Sequence, residues 1–369
     1  LASRLLAETN PSKLNKNSIK EILNLLLDRT DINHMELTNS FNFLYSIKEL
    51  INIEKLEYNI YENKEFQKFI KNDMIIKGMK KMIFRGPIWE NFFTKARKNI
   101  CRLLADKELI LKDNELNFIL ALAEQCFLNE YVLFIDKEDK LLINKIKKKC
   151  EQGSSFEQYI AILSCYIPLF KSSKLIPLIK KHDSKNNNFK KFLKVQLIEP
   201  LQEIKLSQDI HKIGVIDNNI SKKIKSQYED NPYPRWKFAN YSKDLKLHST
   251  QLINNEVRPN IVNRNEAKPE QKILIAGCGT GKQIMQAQRY KNAVITAIDL
   301  SSSSLAYAQR KINELKITNV NLIEIDILDV HLLKEEFDII ECGGVLHHMN
   351  EPLIGLKALL NVLKRNSYL

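Results

Sequence analysis

The amino-acid sequence predicts an α/β fold: an all-helical domain at residues 1–206, then, at residues 271–369, a doubly wound parallel sheet that is incomplete at its C-terminal end. In the first part, apolar residues return every three or four positions, which is the spacing of a helix face. In the second part, short apolar runs alternate with helical segments, as in parallel strands that helices cover on both faces. Residues 207–270 are polar and contain four prolines, and we interpret them as a connector or lid.

Four segments of the first part carry the helical pattern most clearly. They read SIKEILNLLLDRT, IWENFFTKARKNICRLLADK, ELNFILALAEQCFLNEYVLF and SFEQYIAILSCYIPLF. Asn17 and Ser18 are candidate caps of the first segment, and Pro87 stands at the start of the second. Asp113 is a candidate cap of the third, and the run from Gly153 to Ser155 predicts a break before the fourth. No period of roughly 34 residues is visible, so the sequence does not indicate a helical repeat.

The composition is that of a soluble globular protein, because hydrophobic residues make up 44% and charged residues 27% of the 369 residues. The net charge of +13 is spread along the chain, and its densest basic runs contain few aromatic residues. We interpret those runs as solvated helix faces and loops, and we expect no nucleic-acid partner. No apolar run reaches the roughly 18 residues that a membrane span needs, so no membrane partner is expected.

The cysteines and the chain ends bear on location and completeness. The six cysteines lack the CxxC spacing of a zinc site, so the sequence predicts neither a metal nor disulfides, and it fits the cytoplasm. The chain opens on Leu1 without a signal-peptide pattern. Because it does not begin with methionine and ends abruptly in NSYL, we expect it to be a piece of a longer protein.

Four strands are expected in the second part, at KILIAG, AVITAIDL, NLIEIDI and FDIIECGG. Each is short and almost continuously apolar, which is typical of parallel strands buried on both faces. Helices are expected between and after them, at GKQIMQAQRY, SSLAYAQRKINEL and PLIGLKALLNVLKR. In such a sheet, ligands bind at the carboxyl ends of the strands, beside the point where the strand order reverses.

Three of the ten glycines in the chain stand at that point, because Gly277, Gly279 and Gly281 follow the first strand directly in ILIAGCGTG. A glycine permits backbone angles that other residues avoid, and it lets the main chain approach a ligand closely. The spacing is GxGxG, and Lys282 occupies the position at which the dinucleotide pattern GxGxxG needs a glycine. The sequence therefore disfavours a nicotinamide-dependent oxidoreductase.

Two carboxylates end the next two strands. Asp299 ends the second strand, where it could accept hydrogen bonds from both hydroxyls of a ribose. It could also cap the helix that begins in the SSSS run, but those serines are caps themselves, and we favour the ribose role. Asp326 ends the third strand and could accept from an exocyclic amine. Asp329 lies three residues later, and one of these two aspartates is expected to be an ordinary loop residue.

These segments resemble the motifs of class I S-adenosylmethionine-dependent methyltransferases. The matching stretches are ILIAGCGTG, AIDLS, IEIDILD and FDIIECGGVLHHM, in the order and spacing of that family, within residues 270–369. The resemblance implies a Rossmann-like fold and S-adenosylmethionine as the cofactor. One residue departs from the family pattern, because Ile275 stands where many members carry an acid.

The resemblance also implies roles for individual residues. The methionine portion of the cofactor would be wrapped by the glycine loop, that is by Gly277, Cys278, Gly279 and Gly281. The adenosine would be held after the next two strands, the ribose by Asp299 and the adenine by Leu300, Asp326 and the amide of Ile327. The reacting sulfonium would be flanked by Glu341 and Cys342.

The upstream half has a narrower resemblance. ALAEQCFLNEYVLF and SQYEDNPYPRW look like segments of bacterial methyltransferases that carry a helical region, often of tetratricopeptide repeats, ahead of the catalytic domain. Any such repeats would precede Leu1. In the second segment, we interpret Tyr228, Tyr233, Arg235 and Trp236 either as a stiff cover over the cofactor cleft, with Tyr228 as a cofactor contact, or as simple packing onto the sheet.

Together these inferences predict an enzyme that transfers a methyl group from S-adenosylmethionine to a protein or small-molecule acceptor. The alternative is a cofactor-binding scaffold without catalysis, in which the helical region binds a protein partner. His347 and His348 could act as general base or could be ordinary helix-start residues. Because the chain stops before the last strands of the family's sheet, we expect this piece to bind cofactor poorly and to lack turnover.

Overall fold

The computed structural model describes residues 2–52, 60–107, 109–151, 155–240, 246–262 and 269–369. The chain divides into two compact units, Leu1–Leu201 and Gln202–Leu369. The division lies a few residues before the boundary expected at residue 206, and residues 207–270 fall in the second unit. No helix within the described ranges is both long and apolar enough to cross a membrane.

The first unit is helical in every regular element that the structure describes, as predicted. Its helices are α1 (Ala2–Glu8), α2 (Lys16–Asp28), α3 (Thr38–Leu44), α4 (Ile47–Leu50), α5 (Lys64–Ile70), α6 (Asp73–Lys81), α7 (Pro87–Asp106), α8 (Asp113–Leu128), α9 (Lys137–Glu151), α10 (Phe156–Leu163), α11 (Leu175–Lys181) and α12 (Asn187–Leu193). The division between the units falls within the next helix, α13 (Glu199–Gln208).

Polar residues and a proline determine where two of these helices start. α2 is capped by Asn15, whose side chain accepts from the amides of Asn17 and Ser18. The prediction that Asn17 or Ser18 is the cap is therefore wrong, because the amides of both residues donate to the cap that precedes them. Pro87 is the first residue of α7, as predicted, since a proline lacks the amide that would be unpaired there.

The starts of α8 and α10 bear on two further predictions. Asp113 is the first residue of α8 rather than its cap. Lys112 occupies the cap position, and its amide donates to the Glu115 carboxylate at 2.9 Å. Ser155 directly precedes α10 with a φ of 55°, whereas Gly153 and Ser154, the rest of the predicted break, lie outside the described residues.

The core of the first unit is rich in aromatic rings. Trp89, Phe92 and Phe93 are all buried on α7, which confirms the prediction that this stripe is core. Trp89 stacks on Phe84 with the ring centroids 4.3 Å apart, an arrangement that stabilises beyond the burial of the rings. Arg97, on the same helix, is fully buried and donates to backbone carbonyls of neighbouring segments, which offsets the burial of its charge.

The second unit is built on a six-stranded sheet in which every pair of neighbouring strands is parallel. The strands are β1 (His211–Lys212), β2 (Gln271–Ala276), β3 (Ala293–Asp299), β4 (Val320–Glu324), β5 (Phe337–Glu341) and β6 (Leu363–Tyr368). Their order is β1, β4, β3, β2, β5, β6, so the chain reverses direction across the sheet at β2. This confirms the predicted doubly wound, Rossmann-like arrangement.

Helices cover both faces of this sheet. They are α14 (Asn219–Asp230), α15 (Ser249–Glu256), α16 (Lys282–Ala287), α17 (Ser302–Leu315) and α18 (Pro352–Asn361). In β2, Ile273 and Ile275 pack in one hydrophobic cluster with α16 and α17. The alternate residues Leu274 and Ala276 pack in another cluster with α18. Side chains of a strand alternate between the faces of its sheet, so β2 is buried on both sides.

Two expectations for the second unit differ from the structure. The segment at residues 207–270 is more than a connector, because it supplies β1, α14 and α15 and buries Trp236 and Leu252 in the core. The segment is polar overall, but it contains a few large apolar residues that pack against residues distant in sequence. The local pattern therefore does not indicate their burial. The last predicted helix, PLIGLKALLNVLKR, ends at Asn361, and the following residues form β6 beside β5.

We expect Gly281→Ala to destabilise the second unit. Gly281 precedes α16 with a φ of 85°, and an added Cβ would lie 2.7 Å from the Cβ of Ala308 on α17. The clash and the positive φ together should lower the free energy of unfolding by about 3 kcal/mol. Urea unfolding followed by hydrogen exchange of β2 and β3 would measure this loss in the second unit alone.

Gly344→Ala is the matched control for that variant. Gly344 has a φ of 72°, but an added Cβ would meet no atom within 4 Å. This variant therefore suffers the backbone strain without the clash, and it should lose only about 1 kcal/mol. Equal losses in the two variants would mean that the contact between Gly281 and α17 is unimportant.

Candidate cofactor site

A cavity of about 410 Å³ opens where the strand order reverses, between the loops that follow β2 to β5 and helix α14. This volume lies within the range of pockets that hold small ligands. The predicted site residues that line it are Tyr228, Gly277, Cys278, Gly279, Asp299, Leu300, Asp326, Ile327 and His348. Those that are not among its described lining residues are Gly281, Glu341, Cys342 and His347.

The glycine loop after β2 bends sharply, because Gly277 and Gly279 have φ values of 71° and 51°, which glycine adopts most readily. The amides of Gly277 and Cys278 donate to the carbonyl of Ile298 at 2.8 and 2.9 Å, which ties the loop to β3. A Cβ on Gly277 would collide with Val345, whereas one on Gly279 would meet no atom within 4 Å. Gly277 is therefore needed for packing, and Gly279 borders open space in the cavity.

Asp299 supports the same loop from the end of β3. Its carboxylate accepts from the amide of Gly279 at 2.8 Å and from the amide of Ser301 at 3.0 Å. It does not cap α17, because the side chain of Ser301 takes that role by accepting from the amide of Ser304. Burial raises the pKa of Asp299, and the bonds from backbone amides oppose the rise. The Leu300 amide is a third backbone donor to this carboxylate, whose two oxygens offer about four acceptor positions, so it retains capacity for a ribose hydroxyl.

The loop after β4 supplies a second carboxylate. Asp326 is buried at the cavity wall and accepts from the amide of Leu328 at 3.0 Å, so it also caps a short 3-10 turn. Leu300 and Ile327 line the same cavity. Of the two aspartates weighed from the sequence, only Asp326 is among the described lining residues, and Asp329 lies beside Gly214.

The residues at the end of β5 differ from expectation. The Glu341 carboxylate accepts from the Tyr290 hydroxyl at 2.8 Å and lies 3.7 Å from the Arg289 guanidinium, so it is engaged by groups that do not line the cavity. Burial raises the pKa of Glu341, and it raises the pKa of the Cys342 thiol to about 11. The cavity wall is formed instead by the next residues, Gly343 and Gly344.

Two further predicted residues stand apart from the cavity lining. Gly281 serves packing, because its missing Cβ makes room for Ala308. The rings of His347 and His348 lie 4.0 Å apart, and both residues are exposed. His348 is the one that lines the cavity, so it is the better placed of the two for proton transfer.

Helix α14 forms a further wall of the cavity. Ile220, Ile224 and Tyr228 all line it, and their spacing of four residues places them on one face of the helix. From the sequence, only Tyr228 is predicted at the site. The two isoleucines at helical spacing ahead of it are the signal that would have revealed the whole face.

The NPYPRW segment is fixed to the glycine loop by reciprocal hydrogen bonds. The Thr280 hydroxyl donates to the carbonyl of Pro234 at 2.7 Å, and the Trp236 indole donates to the carbonyl of Thr280 at 3.0 Å. The Tyr307 hydroxyl, on α17, donates to the carbonyl of Trp236 at 2.5 Å. Thr280 is 1% exposed, so these bonds are shielded from water. No role for Thr280 was predicted, although it stands inside the glycine loop.

The residues of this segment divide between the cavity wall and the buried interior. Tyr233 borders the cavity, whereas Arg235 is buried. The Arg235 guanidinium lies 3.3 Å from the Glu203 carboxylate, which also accepts from Arg310 of α17 at 2.7 Å. One buried carboxylate thus holds two buried guanidinium groups, one from this segment and one from α17.

Two polar atoms at the cavity wall find no partner among the described residues. They are the hydroxyl of Ser304, which is 1% exposed, and Oε1 of Gln283. Buried polar groups are normally hydrogen-bonded, so both atoms fit a ligand that brings its own polar groups. The open space at Gly279 and the spare acceptor positions of Asp299 fit a nucleoside derivative as well. Within the described part of the chain, no three His, Cys, Asp or Glu side chains are grouped as metal ligands.

The sheet and its glycine loop lie in a stretch that is similar to a known protein family. Residues 273–366 match the sequence model of a family described as a methyltransferase domain, and they contain the glycine loop, β3, β4 and β5. This match supports the likeness to class I S-adenosylmethionine-dependent methyltransferases that the motifs predicted. The cofactor of this class is S-adenosylmethionine. Tetratricopeptide repeats upstream stay a prediction.

The similar proteins share only part of this chain. An uncharacterized protein of Synechococcus sp. is 42% identical over 94 residues, which are 25% of this chain and 22% of that protein. N-methyltransferase 4 of Papaver somniferum is 31% identical over 103 residues, 27% of this chain and 29% of that protein. Magnesium protoporphyrin IX methyltransferase from Synechocystis PCC 6803 with bound S-adenosylmethionine is 17% identical, with a TM-score of 0.29 over 41% of this chain and 76% of that one. The chain thus spans less than a third of either curated relative.

We expect Thr280→Val to loosen the NPYPRW segment. Valine has nearly the shape of threonine but lacks the hydroxyl that donates to Pro234, so a partly buried carbonyl loses its partner at a cost of about 1 kcal/mol. Hydrogen exchange of residues 231–240 should become correspondingly faster. Thr280→Ser is the control, because it keeps the donor. Equal exchange in the valine variant and the unmodified protein would contradict this role of the hydroxyl.

Proposed function

We propose that the protein transfers a methyl group from S-adenosylmethionine to an acceptor molecule. The observation that carries the proposal is the hydrogen bond from the Gly279 amide to Asp299, at the edge of a cavity where the strand order reverses. It places a side-chain-free stretch of main chain beside a carboxylate, which suits a nucleoside joined to an amino acid. When bound, this cofactor supplies a methyl group on a positively charged sulfur, which a nucleophile can take.

The proposed cofactor contacts are the predicted residues that line the cavity. The main chain of the glycine loop would hold the methionine portion, and Asp299 would accept from the ribose hydroxyls. Leu300 would lie against the adenine. The adenine amine would donate to Asp326, beside the amide of Ile327. Tyr228, on α14, would exclude water from the cleft.

The acceptor, a protein or a small molecule, would approach from the loop after β5. His348, Asn350 and Glu351 line the cavity there and are exposed, so an acceptor can reach them. We propose that a ring nitrogen of His348 takes the proton from an acceptor hydroxyl or amine. His347 is not among the described lining residues, so we propose no proton transfer for it. A cytoplasmic location of the protein stays a prediction. Binding of a protein partner by the helical unit also stays a prediction.

The first test is the binding of S-adenosylhomocysteine, the demethylated cofactor, by calorimetry on the full 369-residue chain. We expect weak but measurable binding, and we expect Asp299→Asn to weaken it at least tenfold further, because the amide offers one acceptor oxygen where the carboxylate offers two. Asp329→Asn is the control and should bind as the unmodified chain does, since Asp329 is not among the described lining residues. No detectable binding by the unmodified chain would overturn the proposed function.

The same titration should depend on pH in a defined direction. Burial raises the pKa of Asp299 above its ordinary value of 3.8. The carboxylate is ionised above that pKa, and protonation removes acceptor capacity, so affinity for S-adenosylhomocysteine should fall as the pH is lowered toward it. The Asp299→Asn variant removes this group and retains the titration of the ligand itself. An identical pH profile in both proteins would exclude Asp299 as the ribose-binding group.

A further inference from the structure

The carboxylate of Glu229 connects α14 to the first turn of α17. It accepts from the amide of Ser302 at 2.7 Å and from the amide of Ser303 at 3.0 Å. It also accepts from the Ser303 hydroxyl at 2.5 Å. The first amides of a helix have no acceptor within the helix, so an external carboxylate satisfies them and also neutralises the positive end of the helix dipole. Three charge-assisted bonds thus join two segments that are distant in sequence.

This contact borders the residues proposed to hold the ribose. The Ser301 amide donates to Asp299, and the amides of the next two residues donate to Glu229. The Ser304 amide is satisfied by the Ser301 side chain. The first turn of α17 is therefore shared between Asp299, at the cavity, and Glu229, on α14.

The position of α14 decides the shape of one cavity wall. Its residues Ile220, Ile224 and Tyr228 line the cavity, and Glu229 directly follows Tyr228. A second charged contact joins Lys225, one turn before Glu229, to the buried Glu324 of β4. Helix α14 is mostly polar outside its cavity face, and these two polar contacts join it to α17 and β4.

We infer that Glu229 is a positioning residue that holds α14 across the cofactor cavity by binding the N-terminal turn of α17. The inference rests on the proposed function, because it concerns the affinity of the same cavity. Glu229 itself is not among the described residues that line the cavity, so it acts through α14 and Tyr228. Loss of its carboxylate would release this wall and admit water while leaving the sheet intact.

The test compares Glu229→Ala and Glu229→Gln in the full chain. The readouts are the Kd for S-adenosylhomocysteine and the hydrogen exchange of residues 219–230, with exchange of β2 and β3 as the measure of the intact fold. Glu229→Ala should weaken binding about tenfold and speed exchange of α14 by a similar factor, because it removes three charge-assisted bonds. Glu229→Gln should lie between, since its amide oxygen still accepts. Gln227→Ala removes an exposed polar side chain of the same helix that is not among the described lining residues, and it should change the Kd less than twofold.

The outcomes separate this inference from the proposed function. If the unmodified chain binds S-adenosylhomocysteine and Glu229→Ala binds it equally well, the positioning role is wrong and the proposed function stands. If the unmodified chain does not bind, the proposed function fails, and α14 exchange in the free proteins still tests the contact. Unchanged exchange of α14 in Glu229→Ala would overturn the inference in either case. Faster exchange of β2 and β3 in both variants would also overturn it, because Glu229 would then support the whole unit.

Discussion

The hydrogen bond between the Gly279 amide and the Asp299 carboxylate joins the ends of the two central strands from which the cavity is built. It can form because the glycine loop turns back over β3, with positive φ at Gly277 and Gly279 and with amide bonds to Ile298. A side chain at Gly277 would collide with Val345 of the loop after β5. The same bend therefore lets the glycine loop pack against the loop after β5. The cavity depends on this bend.

The surrounding structure keeps that bend in place from two sides. The Thr280 hydroxyl donates to the carbonyl of Pro234 and the Trp236 indole donates to the carbonyl of Thr280, which holds the NPYPRW segment on the loop. The Tyr307 hydroxyl ties the segment to α17. Glu203 binds buried guanidinium groups from both this segment and α17. Such a network is costly to bury unless every partner is present, so it favours a single arrangement of the segment. A stretch that reads as a polar connector thereby becomes part of the site.

The sequence predicts those features that depend on neighbouring residues, and it does not predict those that depend on contacts between distant residues. β2 to β5 are short and mostly apolar, and the glycines and Asp299 stand directly at strand ends, so their positions follow from neighbouring residues. β1 has two exposed residues and pairs with a strand about a hundred positions later, which no local pattern indicates. Glu341 was expected at the sulfonium, but it pairs with Tyr290, a tertiary contact that strand register alone does not determine. Glu229 and Thr280 were missed for the same reason.

A crystal structure of the full chain with S-adenosylhomocysteine would show whether Asp299 holds the ribose. We expect the nucleoside in the cavity where the strand order reverses, with its ribose hydroxyls on the Asp299 carboxylate. We also expect the main chain of Gly277 to Gly279 along the amino-acid portion, with the Gly279 bond to Asp299 retained. A ligand bound elsewhere, or a ribose that makes no contact with Asp299, would contradict this expectation.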